Sequence, residues 1–128
     1  MNRDDVQRWL DRYIDAWRTY RSDAIGALFS DDVSYRYQPY WEPLRGRDAV
    51  VADWLASPDK PDSWQARFEP YAVDGDRAVA TGEVRYLEDG AIRKLYHNVW
   101  LLRFDADGRC TEFVEYWREQ PQETLPAS

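Results

Sequence analysis

Three Asp-Gly pairs, Asp74-Gly75, Asp89-Gly90 and Asp107-Gly108, divide the second half of this chain into stretches where apolar and polar residues alternate. Asp-Gly between alternating runs is a strong hairpin signal, because a tight turn joining twisted strands needs residues that tolerate positive φ. Alternation with a period of two sends successive side chains to opposite faces of a sheet. The segment after Trp64 therefore reads as four consecutive antiparallel strands. They run roughly from Trp64 to Val73, Arg77 to Leu87, Ile92 to Phe104 and Arg109 to Glu119. A meander of this length must cover one of its faces, and the first half of the chain supplies the cover.

That first half follows a helical period. Val6, Trp9, Leu10, Tyr13, Ile14 and Trp17 form one apolar stripe, with Arg8, Asp11, Arg12 and Asp15 on the other side. Asn2 is placed to cap this helix, and Asp4 and Asp5 suit the positive end of its dipole. Ser22-Asp23 opens a second helix expected to run through Phe29, with Ser30-Asp31-Asp32 as its break. Val33 to Tyr37 alternates as one short strand, and Pro39 stops it. Asp48 to Ala56 reads as a third helix, ended by Pro58 and Pro61. The expected fold class is α+β: three N-terminal helices on a curved, mostly antiparallel sheet, closing a cone with a mouth. The domain is expected to span residues 1–120, with a flexible tail over 121–128 that contains Pro126.

Composition narrows the function classes. The chain carries a net charge of −7 and shows no basic stripe, which argues against nucleic acid and acidic membrane surfaces as partners. No apolar run is long enough for a membrane span, and the charged N-terminus does not read as a signal segment. A cytoplasmic location is the expectation. With one His and one Cys, His97 and Cys110, a zinc site is not expected, and action without a cofactor is the default. Cys110 has only His97 as an imidazole partner, so a packed or surface thiol is expected of it. Aromatic residues make up 16% of the chain, more than a core of this size needs, which suits either an apolar wall with scattered hydrogen-bonding tips or an aromatic core with an oligomer interface.

The stretch RYIDAWRTYRSDAIGALFSDD (Arg12 to Asp32), the loop EPLRGRDAV (Glu42 to Val50) and the hairpin RFDADGRC (Arg103 to Cys110) together resemble the nuclear transport factor 2-like superfamily, in its SnoaL-like branch. The resemblance implies a cystatin-like cone enclosing a pocket, and it leaves activity open, because this fold hosts enzymes, binders and assembly domains. Against ketosteroid isomerases, Tyr13 falls at the oxyanion tyrosine, but Tyr37 stands at the base position and Trp100 at the second oxyanion donor. That reaction is not expected. Limonene-epoxide hydrolases are similar around Tyr35 to Pro39, where Tyr35 matches their water-holding Tyr and Tyr37 replaces an Asn. In the same comparison Glu115 matches the base carboxylate, and their Arg and Asp fall at Glu83 and Arg85 in the opposite order.

The catalytic candidates are thus Glu115, Tyr35, Glu83 and Arg85. A Glu83–Arg85–Glu115 set on two strands would put an acid and a base on one water, or would be an ion-pair cluster fixing the strands. Arg85 nearby would pull the glutamate pKa values down. The residues expected to meet a small, largely apolar organic ligand are Tyr13, Trp17, Tyr37, Trp54, Trp64, Asn98, Trp100, Phe113 and Trp117. In the expected register of the last hairpin Asn98 faces Glu115, Trp100 faces Phe113 and Tyr96 faces Trp117, all inward. His97, Val99, Leu101, Val114 and Tyr116 then form an outer apolar stripe suited to a homodimer. Two functional readings remain open: an acid/base enzyme of isomerase, cyclase or hydrolase type, and a non-catalytic ligand-binding or dimeric interaction domain.

Overall fold

The structure is a computed structural model that describes residues 1–126. Helix α1 spans Arg3–Thr19, and its start is a capping box. The Asn2 side chain accepts from the Asp5 amide at 2.8 Å, and the Asp5 carboxylate accepts from the Asn2 amide at 3.0 Å. Its apolar stripe buries Val6, Trp9, Leu10, Tyr13 and Ala16 against the sheet. The helix ends on Tyr20, whose left-handed φ of 51° turns the chain sharply.

Helix α2 is shorter than expected, spanning Ser22–Gly26, and Phe29 opens strand β1 (Phe29–Arg36). Tertiary hydrogen bonds explain the difference. The Leu28 carbonyl accepts both the Trp9 indole N–H at 3.0 Å and the Cys110 amide at 2.9 Å, so it is committed to the core and the sheet. Ser30-Asp31-Asp32 does not break a helix. It lies within β1, where the ladder to the last strand is irregular between Phe29 and Ser34.

A short strand β2 (Leu44–Arg45) adds to the edge of β1, and α3 follows at Arg47–Ala56. The meander then runs through β3 (Trp64–Asp74), β4 (Arg77–Glu88), β5 (Ala91–Phe104) and β6 (Cys110–Glu119), close to the bounds read from alternation. The six strands are ordered β2-β1-β6-β5-β4-β3. All pairs are antiparallel except β1 with β6, which is parallel because the helical half returns β1 alongside the last strand. Asp89 and Gly90, with φ of 52° and 81°, form the two-residue loop joining Glu88 to Ala91.

The last hairpin departs from expectation. Trp100 pairs with Glu115, Asn98 with Trp117, Leu102 with Phe113 and Tyr96 with Glu119. This register is displaced by two residues, so every side chain keeps its expected face but meets a different partner. The expected pairing puts the tip one residue too early. Counting outward from Asp107-Gly108 gives the observed pairs. At the tip, the Asp105 carboxylate accepts the amides of Asp107 and Arg109, and a bulge at Arg103/Phe104 absorbs the mismatch.

Beyond Pro121, where a flexible tail is expected, a single 3-10 turn spans Gln122–Thr124, and the Gln122 amide donates to the Arg93 carbonyl at 3.0 Å. Residues 127 and 128 of the expected tail lie outside the described residues. Among the described residues no helix is long and apolar enough to cross a membrane.

Gly82 sits in the middle of β4, opposite Phe68 and Asn98. A Cβ there would lie 2.3 Å from the Arg67 carbonyl oxygen and 2.4 Å from Phe68 Cδ1. Its absence lets the Phe68 ring lie over the strand and stack on Trp100, with centroids 3.8 Å apart. Gly82→Ala should destabilise the fold by about 1–3 kcal/mol, as overpacking does. Urea unfolding measures this, and a loss below ~0.5 kcal/mol, the scale of an ordinary surface change, would contradict so close an approach.

Candidate functional site

The inner face of β4–β6, together with α1, α3 and the segments after β1 and α3, encloses a cavity of about 600 Å³. Strand parity places its wall. Tyr96, Asn98 and Trp100 share the inner face of β5, and Glu115 and Trp117 come from β6. Tyr13 and Trp17 come from successive turns of α1, Asp53 and Trp54 from α3, and Tyr37 from the segment just after β1.

Glu115 is the chemical centre of this wall. The Trp100 indole N–H and the Asn98 amide both donate to its Oε2, at 2.6 Å and 2.9 Å. Trp100 is directly opposite it in the ladder, so the observed register of β5 and β6 is what brings the two together. No Arg or Lys pairs with it among the described residues. Burial pushes the Glu115 pKa up, and the two donated hydrogen bonds oppose the rise without cancelling it. Oε1 receives no hydrogen bond from the described residues, while the residue lines the cavity. The arrangement is a fixed carboxyl with one bound oxygen, one unengaged oxygen and a raised proton affinity.

Two hydrogen-bonded pairs also line the walls. The Tyr37 hydroxyl donates to Asp53 Oδ2 at 2.9 Å, and the Trp17 indole N–H donates to Asp59 Oδ2 at 2.9 Å. Burial raises the pKa of Tyr37 and of Tyr86, so both phenols remain protonated. Trp64 stacks on the outer side of Trp17, with centroids 3.8 Å apart.

Of the candidates, Glu115, Tyr13, Trp17, Tyr37, Trp54, Asn98, Trp100 and Trp117 line the cavity. Trp64, Tyr35 and Phe113 do not; all three are buried, Tyr35 and Phe113 in the core and Trp64 against Trp17. Tyr35 is fully buried, its hydroxyl 2.7 Å from that of Tyr13, and its ring stacks on Phe113. It braces Tyr13 from behind, which corrects the expectation that it orients a water or substrate.

Glu83 and Arg85 are also corrected. Glu83 pairs with His97 and Arg85 with Leu95, on the outer face of the sheet. Arg85 reaches Glu83 at 3.5 Å, and neither joins Glu115. With the guanidinium on the far side of the sheet, Glu115 shifts up rather than down. His97 faces outward as expected and lies 2.7 Å from the Gln120 side chain. Cys110 is a buried thiol whose pKa is raised by burial. Among the described residues no cluster of His, Cys, Asp or Glu has the makings of a metal site.

Sequence reading missed Asp53, Asp59, Tyr20, Tyr86, Arg93 and Lys94 as wall residues. Asp53 had a signal, since it lies three residues after the buried Val50 and beside Trp54 on one face of α3. Lys94 had one too, because it shares parity with Tyr96 and Asn98.

The sequence profile of the SnoaL-like domain matches residues 10–113, most of the chain. The chain belongs to the SnoaL-like domain family. It is also similar to a protein of Claviceps purpurea (strain 20.1) named "Ergochrome gene cluster protein", with 28% identity over 90 residues, covering 69% of this chain and 73% of that protein. Among solved structures it resembles an LEH-like epoxide hydrolase of M. tuberculosis with a TM-score of 0.67. At 15% identity over 90% of this chain and 84% of that one, this likeness concerns the fold. Three helices on a mixed, six-stranded sheet agree with the expected cone, with one short strand more than the reading supplied.

Two tests follow from the geometry. Tyr35→Phe leaves the buried Tyr13 hydroxyl without its partner and should cost about 1–3 kcal/mol of stability. Chemical denaturation measures this, and an unchanged midpoint would show the pair to be dispensable. The raised Glu115 pKa makes a second test. Between the ordinary glutamate value of 4.5 and the raised one, the folded chain holds a proton that the unfolded chain has released. Stability from this group therefore falls as pH rises through that window. Glu115→Gln removes the titration, so its melting temperature should gain on the parent's as pH rises from below 4.5 towards neutrality. Calorimetry across pH reads this, and a difference independent of pH would mean that the pKa is not raised.

Proposed function

We propose that this SnoaL-like chain is a cofactor-independent acid/base enzyme acting on a small, largely apolar organic molecule, with Glu115 as the group that carries the proton. The observation that supports this most is the clasp on Glu115: Trp100 and Asn98 hold one carboxyl oxygen, and the other is left for a substrate. A carboxyl whose proton affinity is raised towards the working pH both accepts and returns protons effectively. The aromatic wall would exclude water from the reacting atoms, and Tyr37 and Trp54 would orient the substrate in the half opposite the strands.

In this reading a substrate C–H or a water O–H lies against Glu115 Oε1. The proton passes to that oxygen while Trp100 and Asn98 keep the carboxyl from rotating. The same oxygen then returns the proton to a different atom of the substrate, completing an isomerisation or ring closure, or to a leaving oxygen in a hydrolysis. A C. purpurea relative named for an ergochrome gene cluster and a structural neighbour described as an epoxide hydrolase are both consistent with a small organic substrate. Neither names the reaction of this chain. Outside the cavity, Val99, Leu101 and Tyr116 expose apolar surface on the outer sheet face, which supports self-association as a further property of the chain.

The test is a panel of hydrophobic hydroxy-ketones, epoxides and polyketide-like acids. Product formation with the parent chain should fall by about 10²-fold or more in Glu115→Gln, the scale of general acid/base catalysis, while ligand affinity stays within a few fold. Full activity in that variant would remove Glu115 from the chemistry. Saturable binding with no turnover across the panel would instead favour a ligand carrier.

A further inference from the structure

We propose that the molecule taken by this cavity is an elongated organic acid, whose anionic end is held at the mouth by Arg93 and Lys94 while its other end reaches Glu115. This rests on the cavity being the binding site, as in the preceding reading, and adds the substrate's charge and length.

The carboxylates of the cavity wall already have donors. Asp53 accepts from Tyr37, Asp59 from Trp17, and Glu115 from Trp100 and Asn98. The two cations of the same wall are differently placed. Lys94 has no carboxylate within salt-bridge distance among the described residues, and Arg93 has only Glu88, 3.7 Å away and largely exposed. An exposed pair at that distance holds its partners weakly. The wall therefore holds three carboxylates steadied by neutral donors, and beside them two adjacent cations that no close carboxylate claims.

The backbone shows why both cations reach the cavity. Tyr86 pairs with Lys94, but the next residue, Leu87, pairs with Ile92, so Arg93 is an extra residue bulged out of the ladder. In a regular strand Arg93 and Lys94 would point to opposite faces. A bulge re-aims one of them, and here both line the same cavity. The Gln122 side chain fixes the bulge by donating to the Arg93 carbonyl at 3.0 Å. Two adjacent cations on one rim suit a carboxylate, which accepts charge-assisted hydrogen bonds from both.

The spacing sets the length. Lys94 and Asn98 lie on the same face of β5, four residues apart, or about 13 Å along the strand. A flexible lysine side chain shortens that gap. The matching ligand is a carboxylic acid with an apolar body of about 10 Å, comparable to a phenyl ring carrying a short alkyl chain.

The experiment uses phenylhexanoate and the matching phenylhexanol as probes, with the full chain and its Arg93→Ala/Lys94→Ala variant. Binding is read by quenching of the cavity tryptophans and by calorimetry at low and high salt. The parent should bind the acid about tenfold or more tighter than the alcohol, with the preference shrinking in salt. The double variant should bind both alike, its alcohol affinity unchanged, which also reports that it is folded. Equal binding of acid and alcohol by the parent overturns the proposal and leaves the cavity reading standing. Binding of neither probe overturns both. If the double variant loses the alcohol as well, Lys94→Met alone decides, and an undiminished acid preference in it overturns the proposal.

Discussion

Trp100 stands where the core ends and the cavity begins, and both depend on it. Its ring stacks on Phe68 at 3.8 Å and packs against Tyr13 and Phe113 at 4.6 Å and 4.9 Å. These contacts join β5, β3, α1 and β6 in one aromatic cluster. The same ring's N–H points to Glu115. One side chain thus fixes the sheet's inner layer and the position of Glu115, among the described residues the one carboxyl on the strand wall of the cavity. Gly82 makes this possible from beneath, by leaving room for Phe68 to lie flat. Tyr35 makes it possible from the side, by holding Tyr13 in place.

The electrostatic character of the site follows from what that cluster excludes. An arginine beside Glu115 would have made a low-pKa carboxylate and a structural ion pair. The register instead places Arg85 on the outer face, and neutral donors alone steady the carboxyl. Neutral donors offset only part of the desolvation, so the proton affinity rises. The cations of the wall, Arg93 and Lys94, come from the start of β5. Lys94 and Asn98, the residue that donates to Glu115, are four residues apart on the same face of β5.

Much of this was legible in the sequence, and the reasons are local. The Asp-Gly pairs locate the hairpins because few residues accept positive φ, alternation gives the strand bounds and puts Tyr96, Asn98 and Trp100 on one face, and the family resemblance implies that this face is the inner one. What alternation cannot supply is which residue faces which. A register slip of two preserves every face, so Trp100 opposite Glu115 was hidden, and the two were expected to meet other partners. The limits of β1 were hidden for another reason. Leu28 and Phe29 look helical by neighbours, and only the Trp9 indole and the β6 ladder, remote in sequence, draw them into the sheet. Glu83 and Arg85 were carried to the site by resemblance, although their odd parity already set them apart from Val84 and Tyr86 on the inner face. Lys94 and Arg93 reach the mouth together through a bulge, which breaks the rule by which alternation is read.

The chemistry proposed for the cavity depends on Glu115 being a carboxyl buried beside neutral donors. A carbon-13 NMR titration of its side-chain carboxyl tests this most directly, with the signal assigned through its absence in Glu115→Gln. The account predicts a midpoint above the ordinary glutamate value of 4.5, rising further in Trp100→Phe, where one stabilising hydrogen bond is lost. A midpoint at or below that value in the parent chain would contradict it.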